Sequence, residues 1–157
     1  AVLRLPGAVH PIAVPLAGAD AGQVAVPDVG RRLAQRHAAL VAAGLVDLST
    51  GMLLGVKTVD SHPNEVLELI AAATADMFQG SNVTMIEKMF KKARGLKDDG
   101  HHYFKELIVN SDNLIHVFLR GEKSEERVLA VICRKSANMG MVLTKSRSMV
   151  GAVEAAA

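Results

Sequence analysis

The stretch LVDLSTGMLLGVKT, Leu45 to Thr58, decides the fold. Two apolar runs flank the polar corner Ser49-Thr50-Gly51, and runs joined by so short a link pair as antiparallel neighbours. The corner also carries two hydroxyls, so it invites a rival reading as a site of nucleophilic chemistry. A nucleophilic hydroxyl needs an adjacent base and an oxyanion donor, and LSTGM lacks the Gly-x-Ser-x-Gly elbow. Ser49, Thr50 and Gly51 therefore read as a structural turn. The glycine supplies the positive φ of a tight hairpin and the hydroxyls satisfy turn backbone groups. Lys57-Thr58 imitates the end of a phosphate loop, but no Gly-x-x-x-x-Gly precedes it.

Upstream of the hairpin, LVAAGLVDL from Leu40 reads as a buried strand. Before it, Asp28 is a plausible N-cap for a short helix with Val29, Leu33 and Leu40 on one face. Four of the five prolines (Pro6, Pro11, Pro15 and Pro27) fall earlier still. Proline removes backbone donors and fixes φ, so residues 1–27 form a Pro/Ala/Gly-rich arm, docked or free, ahead of one domain over residues 28–157.

Downstream, Ser61 and Asn64 compete as caps near Pro63. Val66, Leu67, Ile70, Ala73, Met77 and Phe78 then repeat at helical spacing. Gly80-Ser81-Asn82 interrupts the period and Val83, Ile86, Met89 and Phe90 resume it, giving one kinked helix or two end to end. After the polar loop ARGLKDDGHH, three strands follow: Tyr103 to Asn110, Leu114 to Arg120, and Arg127 to Lys135. Their links, NSDN and GEKSEE, are short turn formers, so the three make an antiparallel meander. Ser136 caps a last helix whose apolar face is Met139, Val142, Leu143, Met149 and Val150. The order α-β-β-α-β-β-β-α predicts the α+β class, a five-stranded antiparallel sheet covered by helices.

Composition bounds the function. The 157 residues suit one domain, and with aromatics at 3% and no Trp the core is built from Val, Leu, Ile, Ala and seven Met. That leaves few platforms for stacking bases or sugars. A net charge of +2, from 18 basic and 16 acidic residues, argues against nucleic acid as partner. The longest apolar candidate, LPGAVHPIAVPLAGA, is broken by prolines, which makes a poor membrane span and spoils its likeness to a secretory signal. Cys133 is the single cysteine, which excludes an internal disulfide and favours a cytoplasmic setting.

Four pieces of this chain resemble the Roadblock family, the fold of dynein light chain Roadblock and its bacterial and archaeal relatives. They are GLVDLSTGMLL, the Ala-rich helix ELIAAATADMF, the strand NLIHVFLR, and RVLAVICRKSANMGMVLTKSR, where a strand runs into a helix opened by Ser-x-Asn-x-Gly. The likeness covers Asp28 to Val150. It departs from the simplest pattern in an abbreviated first helix and a longer segment from Val83 to His102.

The resemblance implies a Roadblock/profilin-like sandwich with no active site and no cofactor. It also implies dimerisation through the third strand and the long helix. The implied surface draws on Met77, Phe78, Met85, Met89 and Phe90 of the helix and on Tyr103, Lys105, Leu107 and Val109 of the strand. Implied partners are a second copy or a relative, and a Ras-like small GTPase or a motor or signalling complex. The rival is a small-molecule sensor of similar architecture.

The remaining chemistry-bearing residues read as structural. Asp98, Asp99, His101 and His102 offer metal-ligand types, but in a loop without helical i, i+4 pairing. His116 shares a strand face with Leu114 and Phe118, as a core or interface histidine, or as the polar group of a sensor cavity. Cys133 alternates with Leu129 and Val131 as a small apolar residue. Lys88, Lys91, Lys92, Arg94 and Lys97 form the solvated face of an amphipathic helix, open to an acidic protein surface.

Overall fold

A computed structural model describes residues 39–59 and 63–155. The first helix and the N-terminal arm expected from the sequence lie outside these residues. Leu40, assigned above both to that helix and to the strand, opens the strand β1, Leu40–Asp47. β2 is Met52–Thr58, followed by helices α1, Asn64–Gln79, and α2, Ser81–Ala93. Strands β3, Glu106–Asn110, β4, Leu114–Arg120, and β5, Arg127–Arg134, precede the helix α3, Met139–Ala155.

The strands form one antiparallel sheet in the order β2-β1-β5-β4-β3. The near-continuous apolar run of β1 is what an inner strand needs when both its faces are covered, and all but Asp47 of it are buried. Alternation along β4 and β5 sorts side chains between two cores. One packs Leu45, Val117, Leu129, Val131 and Cys133 against Val142, Val150 and Val153 of α3. The other packs Val46, Phe118, Val128 and Ala130 against Ala71 and Phe78 of α1. The α+β sandwich expected from the sequence is the fold observed.

The hairpin corner is held by a residue just outside the Ser-Thr-Gly triplet. Asp47 Oδ1 accepts hydrogen bonds from the Ser49 N–H at 2.8 Å, the Ser49 hydroxyl at 2.5 Å and the Thr50 N–H at 3.3 Å. These bonds, the Ser49 hydroxyl's foremost, hold the Asp47 pKa below 3.8, so it is a poor base for any nucleophile. Gly51 sits at φ 67°, as the turn requires, and α1 packs over the corner, with Gln79 Nε2 donating to the Leu48 carbonyl at 2.6 Å. Gly51→Val should cost about 2 kcal/mol or more, because a β-branched residue is strained at positive φ. Ser49→Ala and Thr50→Ala together should cost about 1 kcal/mol, since both residues are exposed and water can replace the bonds their hydroxyls make to Asp47 and the Met52 N–H. Thermal melts of the three variants check the ranking.

Several expected boundaries move. Asn138, not Ser136, caps α3: its Oδ1 accepts from the Met141 N–H at 3.0 Å and its carbonyl from the Val142 N–H at 3.0 Å. The third strand starts at Glu106, so Tyr103 and Lys105 precede it rather than belong to it. The helical region is two helices: Gly80 takes ψ 159°, an extended conformation that ends α1. A Cβ on Gly80 would lie 2.5 Å from the Asp76 carbonyl oxygen, so a glycine is what lets the chain turn there. The buried stripe of α1 runs through Ala71, Thr74 and Phe78, leaving Val66 and Ala73 exposed.

Candidate functional site

α2 is turned inside out. Its apolar residues Met85, Ile86, Met89 and Phe90 are 59%, 44%, 65% and 56% exposed, whereas Glu87 and Lys91, one turn apart, are buried. The reason lies in the segment after the helix, which offers polar partners instead of apolar ones. Glu87 Oε1 accepts from the Tyr103 N–H at 2.7 Å and the Phe104 N–H at 3.4 Å, and Oε2 meets His102 Nδ1 at 2.8 Å. The Lys91 ammonium donates to Asp99 at 2.8 Å and Asp98 at 3.2 Å and lies 5.8 Å from the centre of the Tyr103 ring. A buried charge is tolerated when its hydrogen-bonding capacity is met, and both charges here are met from one linker.

The loop read as a solvated cluster of metal-ligand types is thus a latch. Asp98 and Asp99 hold Lys91, His102 holds Glu87, and His101 Nδ1 lies 2.7 Å from Glu125 Oε1. Lys91, expected on the solvated face, is the buried exception among the basic residues of the helix. The Asp99 carboxyl is held at about 2, chiefly by its bond from Lys91. For Glu87, burial pushes the pKa up, but the His102 bond and the Tyr103 and Phe104 amides outweigh it, and the value falls below 4.5.

A depressed folded-state pKa means that Glu87 contributes its full stabilisation above pH 4.5 and loses it as the pH falls through the lower folded value. The chain has one Tyr and no Trp, so its intrinsic fluorescence reports on Tyr103. Acid titration of that signal should show the latch opening below pH 4.5. Glu87→Gln should cost about 1–2 kcal/mol at neutral pH and flatten this acid limb.

Arg120 secures the other side of the latch. In the sequence it reads only as the end of a strand, yet it is buried, with its guanidinium 5.0 Å from the centre of the Phe78 ring. Nε donates to the Phe104 carbonyl at 2.9 Å, Nη1 to Glu125 at 2.6 Å and Nη2 to Phe78 at 3.0 Å. The Phe78 carbonyl lies at the C-terminal, negative end of α1, where a cation is favoured. One side chain thereby ties α1, the latch segment and the β4–β5 turn together. That turn is itself seated on Glu154, whose carboxylate accepts N–H bonds from Glu122, Lys123 and Ser124 at 2.9–3.2 Å.

Of the surface candidates named from the sequence, Met85, Met89, Phe90, Tyr103, Lys105 and Val109 are exposed. Met77 and Leu107 are partly buried against the core. Phe78 is a correction: with 0% exposure it is a core residue, because its position on α1 faces Val128 and Phe118 of the sheet. Ile86, Phe90, Arg94, Tyr103 and Phe104 line a groove of about 200 Å³, floored by Glu87. Beside it β3 forms one edge of the sheet, with Ile108 and Val109 exposed.

His116 stacks on Phe118 at 6.3 Å, and burial pushes its pKa down. Cys133 is buried, which pushes its thiol pKa up and leaves it a poor nucleophile. No helix among the described residues is long and apolar enough to cross a membrane.

No protein-family model and no curated protein matches the chain. Solved structures do match. The gliding protein MglB from Thermus thermophilus superposes with a TM-score of 0.63 at 20% identity, over 95% of this chain and 98% of that one. A Roadblock/LC7 domain from Streptomyces avermitilis gives 0.58 at 16% identity, over 82% and 94%. MglB from Myxococcus xanthus gives 0.56 at 19% identity, over 82% of each. Identities this low speak to architecture, and the architecture they share with the sheet and helices described above is that of a Roadblock-type domain.

Proposed function

We propose that this protein is a non-enzymatic interaction module of the cytoplasm. It self-associates through α2 and the neighbouring β3 edge, and in that form it scaffolds or regulates a Ras-like small GTPase or a related signalling assembly. The observation that carries the reading is the outward apolar face of α2 above a fully partnered Glu87–Lys91 face. Contiguous exposed apolar side chains rimmed by charge mark contact surfaces in soluble proteins. The likeness to gliding protein MglB, one structure of which is described in a tetrameric arrangement, supports an assembling domain. Two larger clefts, of about 370 and 320 Å³, are lined mainly by charged side chains, Lys105, Glu106 and Arg147 in one and Lys88, Lys91 and Asp98 in the other, rather than by the apolar walls of a sensor cavity, which weighs against the sensor reading.

Sedimentation and light scattering of the full chain test the proposal. Self-association is expected, and Met89→Ser with Phe90→Ser should weaken it while the monomer stays folded. A strict monomer that also binds no member of a panel of small GTPases, in either nucleotide state, would sink the reading.

A further inference from the structure

The sheet has two edges. β3 forms one and β2 the other, and among the described residues no strand pairs with the outer side of β2. The Val59 N–H donates inward to the Val41 carbonyl of β1 at 2.9 Å, and by the alternation of a strand Lys57 points inward as well. Val56 and Thr58 therefore turn their N–H and C=O groups away from β1. Met52, Leu54 and Val59 are exposed along the same strand. A bulge at Leu54, which has no partner on β1, and the charge of Lys57 keep the open stretch short. An unpaired edge with exposed apolar side chains is still a template for one more strand.

The chain carries a segment suited to that place. From Leu5 to Ala19, LPGAVHPIAVPLAGA, there is no Asp, Glu, Lys or Arg, a composition too apolar to favour free solvation. Within it, Pro11 and Pro15 stand four positions apart. Successive residues of a strand point their N–H and C=O groups to opposite edges, so both prolines blunt the same edge. Ile12, Val14 and Leu16 keep their donors on the other edge, and they share one apolar face. Proline enters a sheet on an outermost strand with its donorless side to solvent, whereas an odd spacing would have blunted both edges. The reach is ample. Ala39, whose carbonyl accepts from the Arg134 N–H at 2.8 Å, lies at the end of the sheet where β2 finishes. Residues 17–38 span up to ~70 Å when extended, against roughly 23 Å for the length of β2.

From this match we propose that residues 10–16, HPIAVPL, add to the free edge of β2 as a sixth strand within the same chain. Ile12, Val14 and Leu16 donate toward β2, and Pro11 and Pro15 face solvent. One edge is then closed from within the chain, and β3 is left as the edge open to a partner. This pairing does not depend on the self-association proposed above.

Hydrogen exchange of the full chain, read residue by residue by NMR, tests the pairing. The Val56 and Thr58 amides should exchange at least about tenfold more slowly in the wild type than in the double variant Ile12→Pro with Val14→Pro, which removes two donors aimed at β2. Ala13→Pro adds a third proline on the solvent edge and should leave that protection unchanged. Lys57 and Val59, whose N–H groups face β1, are the controls. A nitroxide on Ala13→Cys, the native Cys133 being buried, should broaden the resonances of β2 more strongly than those of β3.

When nitroxide-bearing chains are mixed with isotope-labelled chains that lack the nitroxide, this broadening should vanish, because the strand belongs to its own chain. If the double variant fails to fold, the wild-type exchange and the nitroxide still decide. Fast exchange of Val56 and Thr58 in the wild type, proline variants that behave alike, or broadening that persists in the mixture would each overturn the proposal.

Discussion

Phe78→Ala should lower stability by about 3–5 kcal/mol, whereas Phe90→Ala, twelve positions on, should change it by less than about 0.5 kcal/mol. Both residues belong to one apolar periodicity in the sequence, yet one has 0% and the other 56% exposure. Phe78 fills the space between α1 and the sheet, against Phe118 and Val128, and its ring also carries the Arg120 guanidinium at 5.0 Å. Removing it leaves a cavity and strips an aromatic face from a buried cation. Phe90 is more than half exposed in the monomer and only lines an open groove, so its truncation there leaves no closed cavity. Its removal should instead weaken association by on the order of tenfold, as truncation of a large interface anchor does. Denaturant melts of both variants, paired with sedimentation, separate the two roles. Equal losses of stability would refute the outward orientation of α2.

Arg120→Met should cost about 3 kcal/mol or more, although it replaces a buried charge by an apolar side chain of similar length. Burying an arginine is itself unfavourable, and the exchange would be mild if the charge were all that changed. The cost comes from what stays behind. The buried carbonyl of Phe78 and the partly buried carbonyls of Phe104 and Glu125 would lose the donor that now serves all three, and an unsatisfied buried group costs about 1–3 kcal/mol. Those carbonyls belong to α1, the latch segment and the β4–β5 turn, so hydrogen exchange should quicken in all three at once and least in α3. Lysine should rescue only part of the loss, since an ammonium cannot span three directions as the planar fork does. The effects of Arg120→Met and Phe78→Ala should not add, because the two side chains touch.

The sheet was legible because period-two alternation and short turns are local signals. LVDLSTGMLLGVKT contains both strands and the corner of its hairpin, and NLIHVFLR and RVLAVICR carry their inward faces in plain alternation. Residues whose role depends on distant partners were not legible. Asp47 is different, since its partners Ser49 and Thr50 are only two and three positions on, the local bonding an aspartate commonly makes at a turn. Arg120 did leave a trace, since alternation puts it on the same face as Phe118, where a charge demands a partner. Its three carbonyl acceptors, 5, 16 and 42 positions away, could not be inferred from spacing.

The amphipathic period from Val83 to Phe90 established that this segment has an apolar side, and the run of lysines that it has a charged one. Neither states which side meets the protein. In most surface helices the apolar side does, because a core is the only place to bury it. Here α1 already covers its part of the sheet, Gly80 redirects the chain, and the linker supplies two carboxylates, an imidazole and two amides that satisfy Lys91 and Glu87. Hydrophobic periodicity is a property of neighbours along the chain, and so the sequence alone determined the strands and the pairing of those adjacent in the chain, whereas the β1–β5 pairing that joins hairpin and meander came from the tertiary structure. The orientation of α2 depends on which partners lie within hydrogen-bond reach, and only the tertiary structure brings those together.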